Sequence, residues 1–127
     1  MFKIFGSKEK PEIKKLRKKF NKSTKIIRGL DESAQYTIGH YIDIENSYFI
    51  DAFSSIDNFM SLPGEIKRYY IDKLSEREEK WSQREPYISL AINLFKSWVI
   101  VLTDNNEVLI ESFGEELAYF SRKANPL

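Results

Sequence analysis

Residues Tyr87 to Leu102 read YISLAINLFKSWVIVL, the longest apolar stretch in the chain. Ile88, Ala91, Ile92, Phe95, Trp98, Val99 and Leu102 recur at threes and fours, the spacing of one helical face. Tyr87, Leu90, Leu94 and Val101 make the opposite side apolar too. A helix that is apolar all round belongs at the centre of a bundle. Ser89, Asn93, Lys96 and Ser97 interrupt the run, and a spanning helix needs about 20 mostly apolar residues, so the pattern predicts a buried core helix. Trp98 has apolar neighbours on both sides and is predicted to lie in the main core.

Upstream, Pro86 separates this helix from one that Pro63 opens. Ile66, Tyr69, Tyr70, Leu74, Arg77 and Trp81 are predicted to form its inner face. Glu76, Glu78, Glu79 and Lys80 mix signs at helical neighbour spacing, which suits a solvated outer face. Further back, Asp31 is an N-cap candidate. From Ala34 the positions Ile38, Tyr41, Ile42, Glu45, Tyr48, Phe49, Ala52, Phe53 and Ile56 keep helical spacing. Tyr36, Ile38, His40, Ile42 and Ile44 also alternate as a strand would, but the helical period outlasts the alternation. Gly39 costs about 1 kcal/mol relative to Ala inside such a helix. A break is expected near Ser54–Ser55 or Ser61–Leu62. Glu45 falls on the apolar face, where a carboxylate must be paired, with Arg77 the candidate, or shifted in pKa.

Downstream, Asp104-Asn105-Asn106-Glu107 forms a polar junction in which Asp104 and Glu107 resemble a capping box. Leu109, Phe113, Leu117 and Phe120 then step by four, four and three, with Gly114 a weak point. The alternative is an α+β fold with a small hairpin over residues 98–113, favoured by β-branched Val99, Ile100 and Val101. The helical reading is preferred. The predicted fold class is therefore all-α, a single bundle-like domain of four or five helices over residues 9–127, following a flexible lead at 1–8.

The first helix, 9–28, is set apart by charge. The whole chain carries 20 basic and 19 acidic residues for a net charge of +1, but Met1–Arg28 holds eleven Lys/Arg against Glu9 and Glu12, a net +9, leaving −8 on the remainder. Ile13, Leu16, Phe20 and Ile27 form a narrow apolar stripe, with Pro11 at the start and Gly29 as a stop. Such asymmetry acts on association rather than on fold.

The chain has no cysteine, which excludes disulfides, thiolate metal sites and Cys nucleophiles. It fits a reducing cytoplasm, and no secretory h-region follows the first lysines. The five glycines stand singly, so no phosphate-binding loop can be assembled. His40 is the only histidine. It rules out two-His metal motifs, and it is expected on a helix surface. A triad of His40 with Ser54 or Ser55 and Asp43 or Asp51 lacks any nucleophile-elbow signature. No catalytic residue, metal site, cofactor or small-molecule substrate is predicted.

Three functional readings remain. The preferred one is a non-enzymatic protein-binding protein of the inhibitor or immunity kind, meeting a basic partner such as a toxin through its acidic body. Asp72, Glu76 and Glu79 would form the partner-binding stripe, and charge complementarity would speed association. The alternative is a cytoplasmic protein held peripherally at the inner face of the membrane. Phe2 and Phe5 would insert while Lys14, Lys15, Lys18 and Lys19 face anionic lipid. Nucleic acid is disfavoured as a partner because the body is acidic, and docking of the basic helix on that body explains both charge blocks at once. A hydrolase built around His40 and Glu45 is the weakest reading.

Overall fold

The computed structural model describes residues 9–125. Over these the chain is all-α, with helices α1 (Pro11–Arg28), α2 (Glu32–Phe53), α3 (Ile56–Met60), α4 (Gly64–Ser82), α5 (Pro86–Thr103) and α6 (Glu107–Ala124). The hairpin alternative over 98–113 gives way to two helices joined by a turn in which Asn105 adopts φ 57°. The helix count exceeds the expected four or five because both candidate breaks after α2 are used, leaving the single-turn α3 between them. The lead at 1–8, with Phe2 and Phe5, lies outside the described residues.

Helix boundaries follow local chemistry. Asp31 caps α2 by accepting from Ala34 N at 2.8 Å, and Ser55 caps α3 through Asn58 N at 3.1 Å. The cap of α6 corrects the capping-box reading. Asn106, not Asp104, accepts from Leu109 N, at 3.1 Å. Asp104 is the C-cap residue of α5, and its carboxylate pairs with Lys10 at 3.0 Å.

α5 occupies the centre, packed against α4, α2, α6 and α1. Ile88, Ala91, Ile92, Leu94, Phe95, Trp98, Val99, Val101 and Leu102 are all buried, Trp98 to 8% exposure. Two buried serines within it are satisfied: Ser97 donates to Asn93 O and Ser89 to Glu78 O, each at 2.9 Å. One end of the core is aromatic. Phe49 meets Phe53, Phe59, Tyr70, Phe95 and Trp98 at centroid distances of 5.1–6.0 Å, mostly tilted or edge-on.

α1 is seated on this body by the stripe its spacing predicts. Ile13, Phe20 and Ile27 are buried and Leu16 is half-buried. Phe20 stacks on Phe113 of α6 with centroids 3.8 Å apart, and Arg28 pairs with Glu116 at 2.7 Å while lying over Tyr119.

The two helical glycines of the core have different meanings. A Cβ on Gly39 would lie 2.1 Å from Phe120 O and 3.1 Å from Ala124 Cβ, so α2 and α6 cross in near backbone contact there. At Gly114 the nearest atom to such a Cβ is Trp98 Nε1 at 3.4 Å, a contact the side chain can accommodate.

The inner faces of α2 and α4 were drawn too wide from sequence. On α2, Tyr48, Ala52 and Ile56 (just beyond its end) are exposed, and the buried line is Ala34, Ile38, Ile42, Glu45 and Phe49. On α4, Ile66 and Tyr69 are 46% and 62% exposed. The inward line of α4 runs through Tyr70, Leu74, Arg77 and Trp81, and Tyr69 stands one position before it, rotated by roughly 100°.

Two stability outcomes follow from this packing. Trp98→Ala is expected to cost about 3–5 kcal/mol, and a urea denaturation midpoint that does not move would contradict its central position. Gly39→Ala is expected to cost about 1–3 kcal/mol or more by overpacking, whereas Gly114→Ala should be neutral or gain up to about 1 kcal/mol from helix propensity. Equal effects in calorimetry would contradict the close α2–α6 crossing.

Candidate functional site

The outer face of α4 is built by the same helix that supplies the inward line. Ile66, Tyr69, Asp72, Glu76 and Glu79 step by three, three, four and three and are all exposed. The three predicted carboxylates therefore share one face, and two large apolar residues extend it. Lys73 sits beside them, 3.4 Å from Glu76 and 5.2 Å from the Tyr69 ring centroid. The Glu76 and Tyr69 charges and hydrogen bonds hold its ammonium pKa above the usual lysine value. Sequence reasoning placed the carboxylates on the outer face, where they lie, but assigned Ile66 and Tyr69 to the inner one. Tyr69 is five residues from Leu74, about 140° around the helix, whereas Ile66 shares the spacing of the inward line and only the packing shows it exposed.

The lysines of α1 form a second exposed surface. Lys14, Lys15, Lys18 and Lys19 all face solvent, and none makes an ion pair among the described residues. The apolar side of the same helix is occupied by the core, so Ile13, Phe20 and Ile27 cannot also insert into lipid.

Between α2 and α4 lies a polar cluster centred on the buried Glu45. Glu45, 4% exposed, accepts from the Arg77 guanidinium, the partner its position on the apolar face predicts. Arg77 reaches it from α4 and also lies 5.6 Å from the Tyr48 ring centroid. Tyr70 is packed alongside, and its hydroxyl makes no hydrogen bond to a described residue. Burial first, and the Glu45 charge second, push its phenol up to about 12 against a partial opposing effect of Arg77. This assembly is an ion pair whose carboxylate is buried and whose guanidinium is partly exposed.

His40 is exposed and stacks between Tyr36, at 6.1 Å, and the edge of Tyr41, at 5.4 Å. Asp43 is engaged elsewhere: it accepts from Ser121 Oγ and Asn125 Nδ2, each at 2.5 Å. Asp43 is thus not turned to His40, and Ser55 Oγ caps α3 instead. Among the described residues no group of three or more His, Asp or Glu gathers in a metal-binding arrangement. α5 is long and apolar enough to cross a membrane by length and composition, and most of it is buried inside the bundle.

Two outcomes test the polar cluster. Arg77→Met strands a carboxylate that is almost fully buried, whereas Glu45→Gln leaves a guanidinium that solvent still reaches. Arg77→Met is expected to cost about 2–4 kcal/mol and Glu45→Gln about 1 kcal/mol; equal costs in urea denaturation at neutral pH would contradict the burial asymmetry. A phenol whose folded pKa exceeds its unfolded value near 10 contributes stability that is fully present below about pH 10 and is lost as pH rises to about 12. The fall in melting temperature across that window is expected to be shallower in Tyr70→Phe, and identical profiles would contradict the burial of the hydroxyl.

Compared with known proteins, the chain matches no protein family, no curated protein and no solved structure.

Proposed function

We propose that this protein is a non-enzymatic interaction protein that binds a basic partner protein through the outer face of α4. The observation that carries the reading is the exposed stripe Ile66, Tyr69, Asp72, Glu76 and Glu79 on a helix whose opposite side is buried against α5. A large aromatic beside carboxylates offers both a desolvating contact and a field that steers a cationic partner. An inhibitor of the immunity type, neutralising a basic toxin, fits this chemistry. The test is association with a basic protein encoded beside it, followed by surface plasmon resonance at low and physiological salt. Replacing Asp72, Glu76 and Glu79 together by Lys is expected to lower the association rate at least about tenfold at low salt. Tyr69→Ala should instead speed dissociation. Equal rates for wild type and the triple variant would rule out this face.

A second reading rests on the exposed lysines of α1. With the apolar side of α1 occupied, attachment to anionic lipid through this helix would be electrostatic. Neutralising Lys14, Lys15, Lys18 and Lys19 should then weaken vesicle binding by up to about 1 kcal/mol per charge, with strong salt dependence. Flotation with anionic vesicles at low salt checks it, and failure of the intact protein to float removes this reading.

A further inference from the structure

Six of the nineteen carboxylates are not exposed: Glu9, Asp43, Glu45, Glu78, Asp104 and Glu116. Five of the six have a cation. Glu9 pairs with Arg17 at 3.0 Å, Glu78 with Lys96 at 2.6 Å, Asp104 with Lys10 at 3.0 Å, Glu116 with Arg28 at 2.7 Å, and Glu45 with Arg77. Asp43 stands apart. Its two oxygens accept from the neutral donors Ser121 and Asn125, and no described Lys or Arg pairs with it. These two bonds leave each carboxylate oxygen a further lone-pair direction.

Asp43 also lines a cleft. Where α2, α5 and α6 meet, an open depression of about 250 Å³ has Trp98, Phe95 and Leu117 in its apolar wall and Asp43, Asn46 and Ser121 as polar groups. Gly114 helps to keep it open over Trp98, since the only side-chain atoms near its absent Cβ belong to the Trp98 indole. An aromatic wall beside a carboxylate that has no counter-charge among the described residues is the chemistry that receives an organic cation. The carboxylate supplies a charge-assisted acceptor, and the indole and Leu117 cover an alkyl stem.

We propose that this cleft binds an ammonium or guanidinium group carried on an alkyl stem, with Asp43 as its counter-ion and Trp98 as its wall. The proposal is independent of the α4 face, because it rests on a different helix set and a different carboxylate. The same chemistry can arrive on a free small molecule or as the Lys or Arg side chain of a protein, and the test separates these sources.

The full chain carrying Trp81→Phe leaves Trp98 as the sole tryptophan fluorophore. It is titrated with n-butylguanidinium, with N-acetyl-arginine amide and with n-butyrate as the charge control. The expected result is a saturable Trp98 response to n-butylguanidinium and none to butyrate. Asp43→Asn, close in shape but uncharged, is expected to weaken it at least about tenfold. Ala118→Leu, at a position that lines the cleft, should weaken it by filling the space, and it serves as the second variant if Asp43→Asn does not fold. If N-acetyl-arginine amide binds as tightly as n-butylguanidinium, the source is a protein side chain; if only n-butylguanidinium binds, it is a free cation. Either outcome supports the site. No saturable response to n-butylguanidinium, or undiminished affinity in a folded Asp43→Asn or Ala118→Leu variant, overturns it.

Discussion

Eleven of the eighteen residues of α5 are buried, and they lie on every side of the helix. No single neighbour can cover such a surface, so α4, α2, α6 and α1 must each take a sector of it. This explains why α5 is covered around its circumference while α1, α2, α4 and α6 each keep an exposed side. It also explains why α1, basic on nearly all its surface, still belongs to the fold: its narrow stripe closes a remaining gap near Phe113 and leaves its lysines to solvent. Fold and surface charge are thereby separated, since one helix supplies an apolar contact and a cationic exterior at once.

The charged groups that do enter the interior follow a consistent rule. Burying a carboxylate without a partner is costly, and the structure places a Lys or Arg beside nearly every one it covers. Glu45 is the deepest of them, and its guanidinium partner comes from α4, 32 residues along the chain. Breaking such a pair from one side is worse than replacing both members, so α2 and α4 are coupled at this point by electrostatics as well as by the aromatic cluster around Phe49. Tyr70, held neutral by the same surroundings, belongs to that coupling.

Much of the architecture was legible in the sequence because it depends on local periodicity. The helical character of α5, the N-cap at Asp31, the inward stripe of α1 and the Glu45–Arg77 pairing all follow from spacing and from the cost of a buried charge. What was missed depends on partners that spacing does not name. Gly39 reads as a helix-weakening residue until Phe120 is placed against it. Ile66 and Tyr69 read as core because large apolar residues usually are, and only the position of Leu74 against α5 shows that they face outward. Asp43 reads only as a candidate triad partner of His40, because the wall that makes its surroundings distinctive is assembled from α5 and α6. The exposure of the α4 carboxylates was legible for the opposite reason, since an exposed face requires no partner to define it.

The close crossing of α2 and α6 has a consequence for synthesis of the chain. The hydrogen bond from Ser121 to Asp43 joins groups 78 residues apart, whereas α4 and α5 are adjacent and can pair as soon as both have emerged. Contacts between distant segments carry a larger loop-closure cost and form late. At a translation rate of about 5–20 residues per second, the apolar side of α2 leaves the ribosome several seconds before α6 exists to cover it. During that interval Ile38, Ile42 and the tight Gly39 surface are open to other chains. The nascent protein is therefore most prone to misassociation in the period when α1 to α4 are complete and α6 has yet to appear.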